Sequence, residues 1–477
     1  MMRFIRPRAS DLRQQDGSLQ LLSKRKRTFA SAAAQEIAEL GGSLGIKHYQ
    51  FSFLDLFGVQ RSKLVPASQV AAMATSGAGF AGFAAHLDMN PTEGDLIAMP
   101  DPSTLTPLPW RPEVGWLSCD LFHEDAELAH GPRNVLRAMQ AKLKDAEGLT
   151  LKSGVECEFF LLDGSGGAVF DALDVQQKPC YDAQALMRRY DFISTLCEHM
   201  EAMGWGPYQA DHEDANGQFE INWEFSDCLE TADRVTFFKY MVKSLAEESG
   251  FRASFMPKPF AHLTGSGCHA HLSLHEAATG DNVCSSGAGP DDGNHGLSPV
   301  ALRFLGGLLS NARAMAALTN PTVNSYKRLQ ATSTASGATW SPTQAATWAG
   351  NNRTALVRVP DDRRMELRLA DMAANPYLLP AVAIAAGLAN EGKACPPPHD
   401  LNMFDRNDPA VAAAAASAPS TLPENLLEAL NALDDSAALR DGLGDAFVDS
   451  YLKLRREHWR QYAAQLTPWE LAEYLDC

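Results

Sequence analysis

Residues 218–224 read Gln218-Phe219-Glu220-Ile221-Asn222-Trp223-Glu224. Side chains two apart in a strand project to the same side. The segment therefore predicts a strand with Phe219, Ile221 and Trp223 on one face and Gln218, Glu220, Asn222 and Glu224 on the other. Three more segments repeat the alternation. Val155-Glu156-Cys157-Glu158-Phe159 pairs two carboxylates, residues 268–274 group His269, His271 and Ser273, and residues 364–369 group Arg364, Glu366 and Arg368. Any one of these is what a half-buried antiparallel strand shows to water. The four together differ from a solvated surface, because they carry paired Glu, alternating His and alternating Arg, with no Lys. If their polar faces line one cavity, the carboxylates need a counter-charge. Glu156, Glu158 and Glu220, with Glu213 upstream and Glu366 downstream, are oxygen donors for hard cations such as Mg2+ or Mn2+, and His269 adds a nitrogen. The arginines would stand opposite and hold anionic oxygens bidentately. Carboxylate, cation and phosphate together point to phosphoryl chemistry.

Working outward, the chain of 477 residues is 45% hydrophobic and 21% charged, enough for two or more packed domains. Acids outnumber bases 58 to 41, a net charge of −17, which argues against nucleic acid as a partner. No apolar run is long enough for a membrane span. Residues 1–34 carry a charge of +6 and leave −23 on the rest. This leader reads either as a transit peptide for a mitochondrion or plastid or as a disordered tail of a cytoplasmic protein. Nine cysteines without a Cys-x-x-Cys pair indicate neither a disulfide framework nor a zinc ribbon.

A helix at 32–45 and strands at 48–57 and 61–65 open a small β-rich domain over 35–128. A helix at 134–145, entered through Pro132, begins a large α/β or α+β domain over 129–477. Further helices are expected at 183–203, 231–249, 298–317, 375–392 and 443–465, and the Ala-rich 410–417 reads as a surface connection or helix start. Residues 331–352, which contain Trp340 and Trp348, read as a long loop, either a lid or a subunit contact. No phosphate-binding glycine loop is present, so phosphates must be held by cations and arginines.

At these residues the sequence resembles the glutamine synthetase family. The blocks are Glu-Cys-Glu-Phe-Phe (156–160), Glu-Asp-Ala-Asn-Gly-Gln-Phe-Glu (213–220), Phe-Met-Pro-Lys-Pro (255–259), Gly-Ser-Gly-Cys-His-Ala-His-Leu-Ser (265–273), Asn-Ser-Tyr-Lys-Arg-Leu (324–329), Asn-Arg-Thr-Ala-Leu-Val-Arg-Val-Pro (352–360) and Glu-Leu-Arg (366–368), in the family's order. The resemblance implies an α+β fold, with an N-terminal β-grasp domain followed by a catalytic domain whose sheet forms an open barrel-like site. It also implies self-association into a double-ring oligomer, expected as a dodecamer, in which a neighbour completes each site. One cation would be held by Glu158, Glu213 and Glu220, and another by Glu156, His269 and Glu366. Gly265, Arg328 and Arg368 would bind glutamate. Phe225, His271, Ser273, Arg353, Arg358 and Arg364 would serve ATP and the transferred phosphate, with Arg353 and Asp55 counted as catalytic and Asp55 receiving the incoming ammonium.

The implied activity is ATP-dependent joining of an amine to the γ-carboxylate of L-glutamate through a γ-glutamyl phosphate. The chain departs from the family after Arg328. Typical members carry a Gly-Tyr-Glu-Ala-Pro element there, whereas no acid occurs here between Arg328 and Asp361. The text around Trp340 is similar to a type III subgroup, the γ-glutamylmethylamide synthetases (glutamate–methylamine ligases), so the expected acceptor is ammonia or a small alkylamine such as methylamine. The competing reading is a catalytically silent relative, a structural or regulatory oligomer.

Overall fold

The computed structural model describes residues 32–289, 291–330, 344–390, 394–405 and 407–477. Leader residues 1–31 and residues 331–343, which include Trp340, lie outside them. The chain divides into two compact units. One comprises residues 32–53, Gln60–Gly82 and Pro91–Leu128, and the other Leu54–Val59, Phe83–Asn90 and Ala129–Cys477.

The first unit has a helix at 32–43 and a seven-stranded sheet. Its strands are β1 (His48–Leu54), β2 (Gln60–Pro66), β3 (Ala78–Phe80), β4 (Leu96–Pro100), β5 (Thr106–Leu108), β6 (Arg111–His123) and β7 (Ala126–Glu127). Their order is β2-β1-β6-β4-β3, with β5 and β7 also paired to β6. The long β6 is the spine: it runs parallel to β1 and antiparallel to β4, and its residues 114–119 are buried. The strand expected over 48–57 stops at Leu54, because Asp55 starts a turn. The Asp55 carbonyl accepts from Gly58 N at 3.0 Å, and its Oδ1 accepts from Phe57 N and Val59 N at 2.9 and 3.0 Å.

The second unit holds two sheets built from β8 (Leu149–Val155), β9 (Cys157–Leu162), β10 (Pro207–His212), β11 (Gln218–Trp223), β12 (Ser226–Asp227), β13 (Arg252–Ser254), β14 (Ala270–Glu276), β15 (Trp348–Ala349), β16 (Val357–Asp361) and β17 (Arg364–Leu367). One sheet has the order β10-β11-β9-β13, the other β12-β8-β14-β17-β16-β15. The single strand expected over 155–159 is in fact two. β8 ends at Val155 in the larger sheet and β9 starts at Cys157 in the smaller, so Glu156 sits on the seam, where its N–H donates to the His269 carbonyl at 3.0 Å. The two sheets together make the nearly closed, barrel-like sheet of this mixed α/β unit.

Helices cover the sheets. Pro132–Glu147 starts with proline at its first turn, where the missing N–H leaves no gap in the ladder, and buries Val135, Leu136, Met139 and Leu143. Leu378–Leu388 is buried almost all round. Pro299–Thr319, capped by Ser298, approaches it so closely at Gly307 that a Cβ there would lie 2.2 Å from the Ala386 carbonyl oxygen. The helix expected over 183–203 is broken at Arg189, which leaves helical geometry (φ −109°, ψ 13°) with its guanidinium over the Phe170 ring. Residues 409–417 form a helix that buries Val411 and Ala414. Trp348 is no loop residue. It lies fully buried in β15, parallel to β16, with its indole N–H on the Pro396 carbonyl at 2.7 Å. Among the described residues no helix is long and apolar enough to cross a membrane.

Candidate active site

Strand pairing brings the polar residues face to face. Glu220 on β11 stands opposite Glu158 on β9, His271 on β14 opposite Glu366 on β17, and Arg358 on β16 opposite Glu366. His269 and Arg368 lie one residue outside β14 and β17, and Glu213 lies in the turn between β10 and β11. Turns and the residues flanking strands therefore supply site groups alongside the strand interiors.

The first cluster is Glu158, Glu213 and Glu220, each with a carboxylate oxygen within 4.8 Å of the others. Glu158 Oε2 accepts from Gly267 N at 2.8 Å and from Gln218 Nε2 at 3.0 Å, and Glu220 Oε1 accepts from Asn222 Nδ2 at 2.8 Å. Burial pushes the Glu158 carboxyl up to about 7 even though Arg328 and the Gly267 amide pull the other way. Burial, then repulsion from Glu158, lifts Glu213 well above its usual range; burial, then Glu156, does the same to Glu220. Three carboxyls held this close in a buried site favour a cation among them.

The second cluster joins Glu156 and Glu366 through histidine. His269 Nδ1 lies 2.7 Å from Glu156 Oε2 and 3.8 Å from Glu366 Oε1, and His271 Nε2 lies 2.9 Å from Glu156 Oε1. One ligand atom each of Glu156, His271 and Glu366 comes within 4.8 Å of the others, so His271, like His269, borders this donor set. Burial would raise the Glu156 carboxyl, but the hydrogen bonds to His269 and His271 outweigh it and hold it well below its usual range. Burial, reinforced by Arg368, lowers His269 to about 4 and keeps the imidazole neutral, the form that binds metal. Glu366 is fully buried between Arg358 Nη1 at 2.6 Å and Arg368 Nη1, and Arg368 and His269 carry its carboxyl down against the opposing effect of burial.

The donor types fit divalent cations at both clusters. A further observation agrees: His269 Nε2 and His271 Nδ1 are buried and, among the described residues, take no hydrogen-bond partner.

The remaining expected residues fall around these clusters. Arg328 is buried, with its Nη1 3.3 Å from the Leu369 carbonyl, and beside it Gly265 has room for no Cβ. Ser273 donates to His275 Nε2 at 3.0 Å, since His275 Nδ1 is committed to the Gly280 carbonyl. The exposed Phe225 ring lies 6.5 Å from His275. Arg353 and Arg364 are exposed, Arg364 pairing with Asp361 at 3.3 Å. Asp55 belongs to another neighbourhood: it is fully buried in its turn, with Oδ2 3.2 Å from His86 Nδ1 and its carbonyl accepting from Asn375 Nδ2 at 3.0 Å.

Sequence reasoning passed over two residues here. Asp211 on β10 stands opposite Glu220, and burial, then Glu156, lifts its carboxyl to about 6. Tyr181 holds a left-handed backbone (φ 64°) and is largely exposed, and burial, then the charges of Cys180 and Glu213, push its hydroxyl up to about 12 against the pull of Arg353. Asp211 completes a period-two set with Glu213 that the text shows, whereas nothing in the text marks Tyr181.

Residues 129–474 match the family model of the glutamine synthetase catalytic domain. The chain belongs to the glutamine synthetase family. It is 49% identical over 434 residues to a glutamine synthetase of Rhizobium meliloti, covering 91% of this chain and 97% of that one. It is 39% identical over 439 residues to a glutamate–methylamine ligase of Methyloversatilis universalis, covering 90% and 96%. A solved complex of GmaS with ADP, in its first conformation, superimposes with a TM-score of 0.86 at 52% identity, covering 92% of this chain and 99% of that one. Membership in the glutamine synthetase family makes the chain a ligase of glutamate.

Proposed function

We propose that this chain joins a small alkylamine, of which methylamine is the representative, to the γ-carboxylate of L-glutamate at the expense of ATP. The observation that carries this is the pairing of two carboxylate-lined clusters with the buried or part-buried arginines Arg328, Arg358 and Arg368. A carboxylate oxygen is a hopeless leaving group, so activation must precede amide formation, and a γ-glutamyl phosphate provides it. Divalent ions bound by Glu158, Glu213 and Glu220, and by Glu156, His269 and Glu366, would neutralise phosphoryl charge. In this reading Gly265, Arg328 and Arg368 orient glutamate. Phe225, His271 and Ser273 receive the nucleotide, and Arg353, Arg358 and Arg364 hold the transferred phosphate. Asp55, brought to the site by a neighbouring subunit, binds the protonated amine and takes its proton. Residues 35–128 act as a β-grasp domain and 129–477 as the catalytic domain, in a ring oligomer.

The acceptor assignment draws on the missing flap acid between Arg328 and Asp361 and on the likeness to GmaS. Ammonia is the second reading, favoured by the name of the 49% identical relative. Phosphate release with glutamate and ATP, measured across ammonium, methylamine, ethylamine and putrescine, separates the two. Methylamine should exceed ammonium in kcat/KM, and the reverse order returns the chain to glutamine synthesis. Absence of any amine-dependent turnover with Mg2+ or Mn2+ would leave the silent relative. Glu366→Ala should abolish whatever activity is seen.

A further inference from the structure

The turn that presents Glu213 is gripped from outside the carboxylate cluster. Asp174, between β9 and the helix Ala183–Arg188, is buried, and its side chain takes three hydrogen bonds from the ends of that one turn. Oδ2 accepts from His212 Nε2 at 2.7 Å and from Gly217 N at 2.5 Å, and Oδ1 accepts from Asn216 Nδ2 at 2.9 Å. These donors bracket Glu213, since His212 precedes it and Asn216 and Gly217 close the turn. His212 is itself fully buried, and its Nδ1 donates to the Pro179 carbonyl at 2.9 Å, so the ring is held at both nitrogens. A second tie fixes the turn from its other side, where Thr264 Oγ1 donates to Asp214 Oδ2 at 2.7 Å. Burial acts to raise the Asp174 carboxyl, but the hydrogen bonds from His212, Asn216 and Gly217 outweigh it and keep it below its usual range, as a carboxylate with all its partners in place should be.

We propose that Asp174 is a positioning residue for Glu213: by clamping His212, Asn216 and Gly217 it holds the Glu213 carboxylate at the distance from Glu158 and Glu220 that a divalent cation needs. The inference rests on the reading of those three glutamates as a cation site. Groups that orient metal ligands from behind typically change metal affinity by about 10–100-fold when altered, and Asp174 grips its ligand's turn at both ends, through the His212 side chain at one and the Asn216 side chain and Gly217 N–H at the other.

Mn2+ binding to the EDTA-treated full chain tests this, by calorimetry together with the electron paramagnetic resonance of free Mn2+. Glu213→Gln identifies which of the two binding classes belongs to the first cluster. Asp174→Asn should weaken that same class about 10–100-fold and leave the other within about twofold. It should also raise the Mn2+ concentration for half-maximal turnover while kcat at saturating Mn2+ stays close to wild type. A general loss of structure would weaken both classes alike, and that result, or unchanged affinity in both, overturns the positioning role. Should Asp174→Asn fail to fold, Asn216→Ala removes one of the three hydrogen bonds from a part-buried position; weakening of the same class supports the proposal and unchanged binding overturns it. A wild-type protein that binds no Mn2+ overturns the cation site itself, a result distinct from intact binding that is merely indifferent to Asp174.

Discussion

A methyl group added at Gly267 would lie 2.8 Å from Glu158 Oε1, 2.9 Å from Arg328 Nη2 and 3.0 Å from His269 Nε2, yet the backbone there is not in the left-handed region. Alanine is therefore permitted by the chain and refused by the site. Gly267→Ala should keep the fold at a stability cost of about 1–3 kcal/mol for the overpacking, while lowering kcat/KM by about a hundredfold, because displacements near 1 Å at reacting groups have effects of that size. Steady-state kinetics beside circular dichroism checks it, and activity within a few fold of wild type would mean that those three groups are not the reaction's neighbours. The same crowding explains why burial dominates the ionisation of Glu158, Glu213, Glu220 and His269: the groups have left water and meet one another instead.

At the level of helices and strands, Gly307 performs a related service for packing. Gly307→Ala forces apart Pro299–Thr319 and Leu378–Leu388, where a Cβ meets the Ala386 carbonyl, and should destabilise the second unit by about 1–3 kcal/mol. A lowered Tm with Mn2+ affinity preserved is the expected pair of readings. This level also marks where the text of the chain stops informing. Period-two alternation identified the polar faces of β9, β11, β14 and β17, because each strand has one apolar side to bury. It could not show that residues 155–159 divide at Glu156, since a strand that ends in one sheet and resumes in another keeps the same alternation across the break. Trp348 misled for a related reason: β15 is two residues long, too short for any period, and a Ser/Thr/Gly-rich neighbourhood looks like loop. Asp174 escaped notice because its role comes from contacts some forty residues away in sequence, which no local pattern records.

For the whole molecule the raised carboxyls predict how stability follows pH. An acid whose folded pKa lies above its unfolded value, as Glu158 does at about 7 against 4.5, keeps more protons in the folded state between those values, so folding stability falls as pH rises through that window. Glu213 and Glu220 shift in the same direction. Glu156 and Glu366 are lowered, and their stabilising share is already complete above about pH 5. Saturating Mn2+ should therefore raise Tm more at pH 8 than at pH 5.5, each compared with an EDTA-treated sample at the same pH; a gain that does not vary with pH would show that the carboxyls are not protonated when the cation enters. The seam at Glu156 has a mechanical consequence as well. Glu158 and Glu220 ride on the smaller sheet and His271 and Glu366 on the larger, so the spacing between the two donor sets belongs to neither sheet and is set where β8 passes into β9. A polyphosphate spanning both sets would brace that joint like a splint, and amide exchange should slow on nucleotide binding at residues 155–157 and 269–270 more than within either sheet.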